Sequence, residues 1–355
     1  MAAYQKNPFT LSFGRKPAHY ISRLNQSQKI IETFTLAPVT EQLFVITGVR
    51  GSGKTVLMAG IANELDRKDE WIVIRLSPDE DDLVATLCAN LYHHQKVHQT
   101  FLKADVAVHV LGIGVTVENQ SPAMTALNAI EEMLTAIASR HQKVLIAIDE
   151  VTNTKQIRKL ASAFQLLIGN EQPIFLLMTG LYENIKNLQD QKNLTFLYRA
   201  PKIFLDPLDL GAIRDAYRRV FNIDEATAIQ MAKMTKGYPF AFQVLGYICW
   251  ELGEIDIRRL PEIRSRYDQI LSEAVYSKIW SELSNEDRKI LRAIAEQDDA
   301  DNIKVQAIRQ TSGMPSNKFS VYRQRLKERG LLDTRQYGYV SLSLPRFAAF
   351  VKVNA

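Results

Sequence analysis

Residues 43–65, LFVITGVRGSGKTVLMAGIANEL, constrain the fold of this chain more than any other stretch. The apolar run Leu43–Ile46 predicts a buried strand, and the apolar spacing from Val56 to Ile61 predicts a helix. Between them lies GVRGSGKT, which matches the G-x-x-x-x-G-K-[ST] pattern. Since strand, glycine loop and helix follow in that order, the stretch predicts a phosphate-binding loop on an α/β scaffold.

The chemistry of this loop follows from its residue types. Glycines let the backbone curl so that its N–H groups point inward at a phosphate, and the helix N-terminus adds partial positive charge. Lys54 is expected to reach the β- and γ-phosphates, and Thr55 to bind Mg²⁺ through its hydroxyl. The predicted nucleotide contacts are Gly48, Val49, Arg50, Gly51, Ser52, Gly53, Lys54, Thr55 and Val56.

Two further apolar runs end in polar residues of the kind that a nucleotide site needs. Val144–Ile148 predicts a buried strand that ends at Asp149 and Glu150. Asp149 is expected to complete the Mg²⁺ site, and Glu150 to orient or deprotonate the attacking water. A third predicted strand, PIFLLMTGL, carries Thr179 near its end, which makes Thr179 a candidate sensor of the γ-phosphate.

Strand patterns alternate with helix patterns through the first two hundred residues. Further strands are predicted at 71–77 and 200–208, and this alternation favours a parallel sheet covered by helices on both faces. Residues 105–118 alternate with a period of two around Gly112 and Gly114, which predicts a hairpin insertion of unknown role.

Length and composition limit the class of protein. With 355 residues, 46% hydrophobic and 23% charged, the chain is expected to be globular and to form more than one domain. No apolar run is long enough for a membrane span, and the first ten residues lack a signal-peptide layout, so we expect a cytoplasmic location. Cys88 and Cys249 lie in apolar helical patterns and are expected to be buried free thiols.

These motifs, together with TFLYRAPKIFLDPLD and TKGYPFAFQVLGYICW, resemble P-loop ATPases of the AAA+/STAND type. The resemblance is to archaeal-type ATPases and to origin-recognition initiators, and it implies ATP and Mg²⁺ as cofactors. It also implies that Pro239, in a G-x-P motif, lies against the adenine. Arg199, just before the last core strand, stands where such proteins often carry an arginine finger, which implies a homo-oligomer. In the N-terminal segment the family usually shows Gly-Arg, whereas this chain has Ser22-Arg23.

The rest of the chain is predicted to be helical, then winged. Residues 1–206 are expected to form the ATPase core, 207–283 a small all-helical lid and 284–355 a winged helix. The last assignment rests on a helix over 303–311, a glycine turn, a second helix over 315–329 and two short strand patterns around Tyr337 and Gly338.

Positive charge is concentrated in this C-terminal module. Residues 301–355 hold ten basic side chains and three acidic ones, while the whole chain carries +5, so the first 300 residues carry a net charge of −2. We therefore expect an anionic partner, double-stranded DNA, read by the N-terminal residues of the second helix and anchored by phosphate contacts. The predicted DNA contacts are Ser316, Asn317, Lys318, Ser320, Arg323, Arg325 and Arg335.

Three functions fit these patterns. The first is an ATP-hydrolysing switch whose nucleotide state controls DNA binding by the winged helix. The second is a signalling or defence scaffold in which ATP drives oligomerisation and the winged helix binds protein. The third is a weak or inactive ATPase that only holds nucleotide. Fold resemblance does not choose among them.

Overall fold

The computed structural model describes residues 6–12, 17–103, 125–253, 258, 260–297 and 301–354. The hairpin insertion predicted at 105–118 lies outside the described residues. The chain divides into two compact units. The sheet unit comprises Arg23–Thr47 and Lys54–Phe204, and the helical unit comprises Met1–Ser22, Gly48–Gly53 and Leu205–Ala355.

Parallel strands form the centre of the sheet unit. Five are found among its described residues, and their order across the sheet is β2-β3-β4-β1-β5, with every neighbouring pair parallel. In chain order they are β1 (Leu43–Thr47), β2 (Trp71–Leu76), β3 (Lys143–Ile148), β4 (Ile174–Gly180) and β5 (Lys202–Phe204). The predicted α/β class with a parallel sheet is therefore confirmed.

Helices separate these strands along the chain. They are α1 (Leu24–Thr35), α2 (Lys54–Asp66), α3 (Leu83–Tyr92), α4 (His98–Lys103), α5 (Ala126–Ala138), α6 (Lys155–Gly169) and α7 (Tyr182–Gln189), followed by a 3₁₀ helix (Lys192–Tyr198). Every residue of β1 and β4 is buried, as expected for strands that are covered on both faces.

Alternate strand residues pack in two separate layers. On one face, residues such as Val45 and Ile146 share a core with apolar side chains of α3, α5 and α6. On the other face, Phe34 of α1 packs edge-on against Phe44 and Phe175, with ring centroids 5.4 and 5.1 Å apart. The apolar runs thus form central strands because other apolar side chains cover both of their faces.

The register of the sheet brings three strand ends together. Ile46 of β1 pairs with Thr179 of β4, and Ile148 of β3 pairs with Met178 of β4. The carboxyl ends of β3, β4 and β1 therefore lie side by side, and this edge is where open α/β sheets place their ligands.

The helical unit is built from helices with one small sheet. Its helices are α8 (Leu210–Phe221), α9 (Glu225–Thr235), α10 (Pro239–Leu252), α11 (Leu260–Leu271), a π-helical turn (Ser272–Tyr276), α12 (Ser277–Ser281), α13 (Asn285–Ala295), α14 (Val305–Ser312), α15 (Ser316–Glu328) and α16 (Phe347–Asn354). Its strands are β6 (Ile303–Lys304), β7 (Leu332–Asp333) and β8 (Tyr339–Leu342), antiparallel in the order β6-β8-β7.

One boundary in this unit differs from the sequence prediction. The helix predicted over 303–311 begins only at Val305, because Ile303 and Lys304 pair with Val340 and Tyr339 of β8. A β-branched residue followed by lysine is too short a signal for a strand, and the long-range pairing decides the conformation. Gly313 ends α14 in the left-handed region, at φ +59°, as the predicted glycine turn requires.

Both cysteines are buried and free in the described part of the chain, as predicted. Burial raises the pKa of the Cys88 thiol to about 11 and that of Cys249 to about 12, so both stay protonated at neutral pH. Of the helices that the structure describes, none is both long and apolar enough to span a membrane.

Candidate nucleotide site

Asp149 and Thr55 lie within hydrogen-bond distance of each other. Thr55 is the second residue of α2, and Asp149 directly follows β3. The Thr55 hydroxyl donates to Asp149 Oδ2 at 2.7 Å. The two residues that the sequence predicts as Mg²⁺ ligands are thus brought together across 94 positions of sequence.

Thr179 holds the second oxygen of the same carboxylate. It is fully buried in β4, and its hydroxyl donates to Asp149 Oδ1. The pairing of Ile148 with Met178 explains the contact, because it sets Asp149 opposite Thr179. Each oxygen of Asp149 is therefore bound by a threonine hydroxyl, which fixes the orientation of the carboxylate.

Glu150 is held by its backbone while its side chain is exposed. Its N–H donates to Asp149 Oδ1 and to Thr179 Oγ1, each at 3.1 Å. The next N–H, from Val151, donates to the Thr179 carbonyl at 2.8 Å. Glu150 has φ +53°, a left-handed conformation that is uncommon for a glutamate and that these bonds stabilise. The strand end thus presents the Glu150 carboxylate to solvent from a fixed base.

The donor set of this cluster suits magnesium. A carboxylate and a hydroxyl are hard oxygen ligands, and Mg²⁺ typically takes one or two carboxylates and completes its shell with waters and substrate phosphates. Across the described residues, no group of three or more His, Cys, Asp and Glu side chains could form an all-protein metal cage. Thr55 and Asp149 therefore fit a cation that arrives with a phosphorylated ligand.

The glycine loop, Gly48–Gly53, precedes α2 and is contacted by residues around the G-x-P motif. Ser52 and Lys54 are buried, with 3% and 7% of their surface exposed. The Tyr238 hydroxyl donates to the Arg50 carbonyl at 2.6 Å. A Cβ placed on Gly53 would lie 4.0 Å from Cβ and Cγ of Pro239. Pro239, the predicted adenine contact, is thus next to the loop.

Two further contacts to the loop come from the C-terminal part of the helical unit. The Arg50 guanidinium lies 3.7 Å from a carboxylate oxygen of Glu282, and both side chains are partly exposed. Val49 packs against Gly330, where an added Cβ would be 3.4 Å from Val49 Cβ. Sequence reasoning missed Tyr238, Glu282 and Gly330. Only Tyr238 had a local signal, as the middle residue of the G-x-P motif.

Of the other predicted nucleotide-site residues, Val56 is half-buried in the first turn of α2. Arg199 follows the 3₁₀ helix Lys192–Tyr198 and is exposed three residues before β5. Its role as an arginine finger stays a prediction.

Four predicted DNA contacts lie at the start of α15. Ser316, Asn317, Lys318 and Ser320 are all exposed. Lys318 Nζ donates to a carboxylate oxygen of Glu286 at 2.7 Å, and this bond raises the pKa of Lys318.

The three predicted arginine contacts differ in their surroundings. Arg325 binds Asp287, a carboxylate with no exposed surface, through Nε at 3.1 Å and through Nη2. Arg335 forms a forked pair with Asp333, and this bond lowers the pKa of Asp333 while Arg335 stays 81% exposed. Arg323 is half-buried. Arg325 is thus part of the packing of α15 on α13, which its sequence position alone did not indicate.

Comparison with known protein families gives two matches along the chain. Residues 29–196 match the family described as an ATPase domain predominantly from Archaea. Residues 273–351 match a family described as a domain of unknown function. No curated protein sequence matches the chain. The predicted resemblance to archaeal-type ATPases is confirmed over residues 29–196.

Solved structures share the fold over nearly the whole chain. The Walker-type ATPase of Pyrococcus abyssi has a TM-score of 0.66 at 16% identity, covering 96% of this chain and 99% of that one. The ORC2 protein of Aeropyrum pernix, solved in ADPNP–ADP complexes, has a TM-score of 0.58 at 14% identity, covering 97% and 96%. At these identities the likeness shows the fold alone, which this chain shares with those two proteins over nearly its whole length.

Proposed function

We propose that this ATPase-family domain binds ATP with Mg²⁺ and hydrolyses the γ-phosphate. The observation that carries the proposal is the Asp149 cluster, in which the loop threonine, the strand-end carboxylate and the neighbouring strand threonine are joined by hydrogen bonds. A glycine turn without a catalytic role has no need of a buried threonine on a second strand to orient a carboxylate.

Each residue has a defined task in this proposal. The N–H groups of Gly48–Gly53 bind phosphate oxygens, and Lys54 neutralises charge on the β- and γ-phosphates. Thr55 and Asp149 hold Mg²⁺, which when bound neutralises charge that develops on the transferring phosphoryl group. Glu150, exposed on a fixed backbone, orients the attacking water and accepts its proton.

A phosphate-release assay with Mg²⁺ tests hydrolysis. Glu150→Gln should keep ATP binding and lower turnover by roughly 10²-fold or more, because the base is removed while the shape is kept. Glu171→Gln is the matched control, since Glu171 is also exposed and also has positive φ, at +56°. Turnover of Glu150→Gln equal to that of the wild type would contradict the assignment. No phosphate release from the wild type would favour a protein that only holds nucleotide.

We further propose that residues 284–355 form a winged helix that binds double-stranded DNA in a nucleotide-dependent manner. The order α13, β6, α14, α15, β7, β8 supports this, because a glycine turn separates α14 from α15 and two strands follow. Ser316, Asn317, Lys318 and Ser320 supply the base-edge contacts. Arg323 and Arg335 supply phosphate contacts. Arg325 is not among the proposed DNA contacts, because its guanidinium is hydrogen-bonded to the buried carboxylate of Asp287.

The scaffold alternative is favoured by one specific observation. Three of the predicted cationic contacts, Lys318, Arg325 and Arg335, each pair with a carboxylate of the same chain. A surface whose cations are already paired offers less charge to DNA than the sequence surplus suggests. Under this alternative, ATP drives oligomerisation and the winged helix binds protein.

A gel shift with random duplex DNA, at low and moderate salt and with or without ATP, separates the two. DNA binding should fall steeply with salt if phosphates dominate. Arg323→Ala and Arg335→Ala, which remove the proposed phosphate contacts, should each weaken binding across sequences and reduce the salt slope by about 1. Lys159→Ala, which removes a cation paired with Asp82 in the sheet unit, is the control. Absence of any binding at low salt would favour the scaffold.

A further inference from the structure

We infer that Tyr238 is a positioning residue of the nucleotide site, which holds the Arg50–Gly51 peptide of the loop so that the Gly51 N–H is presented to a phosphate. The inference rests on the proposed ATP-binding function and assigns it one more residue. It follows from the contact between the Tyr238 hydroxyl and the Arg50 carbonyl, at 2.6 Å.

The orientation of the Gly51 N–H follows from peptide geometry. In a trans peptide the C=O of one residue and the N–H of the next point in opposite directions within one plane. Tyr238 binds the Arg50 carbonyl, so the Gly51 N–H of the same peptide is directed away from Tyr238. A phosphate-binding loop needs its N–H groups directed inward, and a bound carbonyl on the outer side keeps this peptide from turning over.

The contact is a stable one because Tyr238 is buried. Only 3% of its surface is exposed, and burial raises the pKa of its hydroxyl far above the ordinary value, so the group remains a protonated donor at every physiological pH. A buried polar group that loses its partner bears the full cost of desolvation, which makes the bond hard to break.

Loop and tyrosine are fitted to each other in shape. Gly51 has φ +76°, a region that favours glycine, and a Cβ there would lie 2.2 Å from the Tyr238 hydroxyl oxygen. Glycine is thus required at position 51 for two reasons: its backbone conformation favours glycine, and Tyr238 fills the space that a side chain would need.

The backbone beneath Tyr238 is fixed on both sides. Its N–H donates to the Thr235 carbonyl at 2.8 Å, and its own carbonyl accepts from Phe242 at 3.0 Å. Gly237 has φ +75°, and an added Cβ would lie 2.5 Å from the Leu208 carbonyl oxygen. Pro239 begins α10 immediately afterwards. The G-x-P motif therefore serves as a rigid base that aims the tyrosine at the loop.

The ligand chemistry implied is that of a nucleoside di- or triphosphate. Loop N–H groups bind the phosphoryl oxygens of such a ligand. Removing the Tyr238 hydroxyl should therefore weaken binding of the phosphate chain.

Calorimetric titration of the full chain with ADP, with and without Mg²⁺, tests the role of Tyr238. Tyr238→Phe removes only the hydroxyl, and we expect roughly fivefold weaker ADP binding, the effect of one ordinary hydrogen bond. Tyr217→Phe is the matched control, because Tyr217 is also buried in the helical unit and its hydroxyl donates to the Phe242 carbonyl at 2.8 Å.

The outcomes are distinct. A merely structural role would lower the unfolding temperature of both variants and leave their ADP affinities equal. Tyr238→Phe with wild-type affinity, or Tyr217→Phe with the same loss, would overturn the inference. A wild-type chain that binds no ADP would overturn the proposed function itself, and the inference with it, whereas binding lost in Lys54→Ala but kept in Tyr238→Phe would remove only the inference.

Discussion

At the scale of single residues, the hydrogen bonds to the Asp149 carboxylate determine how the site could hold a cation. Both carboxylate oxygens accept a threonine hydroxyl, from Thr55 and from Thr179. A hydroxyl has one proton and two lone pairs, so Thr55 can donate to Asp149 and still offer a lone pair to a cation. The two threonines thus orient the carboxylate before any metal arrives, which lowers the reorganisation needed on binding.

Thr179→Val should lower Mg²⁺ affinity or turnover by roughly ten- to a hundredfold, because it removes a hydrogen-bond partner of a proposed metal ligand at nearly constant volume. Thr179→Ser keeps the hydroxyl and should stay close to the wild type. Phosphate release measured against Mg²⁺ concentration gives both quantities. Wild-type behaviour of the valine variant would remove Thr179 from the site.

The residues of the site differ in how far the sequence predicts them. Gly48–Thr55 and Asp149 follow from short motifs, since their chemistry depends on local spacing. Thr179 was predicted as a sensor of the γ-phosphate, a role that stays a prediction, while its bond to Asp149 depends on strand register. Tyr238 and Glu282 reach the loop from 188 and 232 positions away in sequence, contacts that only the fold brings about.

At the scale of elements, α13 and α15 are joined by one buried carboxylate. A capping box begins α13, because the side chains of Ser284 and Asp287 each accept a hydrogen bond from the other's backbone N–H. Asp287 also accepts from Arg325 of α15, and Arg329 lies 3.8 Å from it. Asp287 therefore both caps α13 and binds the proposed recognition helix, α15. The capping motif is local in sequence, whereas the contact with α15 depends on tertiary packing.

Asp287→Ala should destabilise this module by about 3 kcal/mol, because it removes a cap and breaks a buried ion pair. Glu286→Gln is the matched control. Glu286 is the sequence neighbour of Asp287 in α13, and it also pairs with a cation of α15, Lys318, but at the surface. We expect less than about 1 kcal/mol for the control. Hydrogen exchange of α13 and α15 amides in the full chain measures both losses, and equal protection in the two variants would contradict the account.

The strands β1, β3 and β4 were predictable because their apolar patterns match their burial. The central strands are continuous apolar runs, and both of their faces are covered. The two-residue strand β6 was not predictable, because it exists only through its pairing with β8. An apolar pattern predicts an element when its apolar residues are the ones that become buried. An element such as β6 depends on long-range strand pairing instead.

At the scale of the whole molecule, the domain boundaries predicted from the sequence differ from the two compact units of the structure. Residues 1–206, 207–283 and 284–355 were predicted as three domains, and that division stays a prediction. In the structure Phe9 is buried in the helical unit, with its ring stacked on Phe221 at 5.7 Å. A segment at the start of the chain thus completes a core formed after residue 205, which composition and spacing do not indicate.

An oligomer-dependent ATPase makes a prediction at this scale. If Arg199 completes the site of a neighbouring copy, turnover per chain should rise with protein concentration. Arg199→Ala should then lower turnover by roughly three orders of magnitude, the low end of the range for arginine fingers. Arg140→Ala, another exposed arginine of the sheet unit, is the control. Hydrolysis that is independent of concentration and survives Arg199→Ala would remove the finger.

Calorimetric titration of the full chain with ATP and Mg²⁺, for the wild type and for Lys54→Ala, is the sharpest test of the proposed site. The claim is that the glycine loop and Lys54 bind the phosphates of a nucleotide. We expect saturable binding by the wild type and loss of tight binding in the variant, because the charge that neutralises the β- and γ-phosphates is gone. Equal affinity of the two proteins for ATP would contradict it.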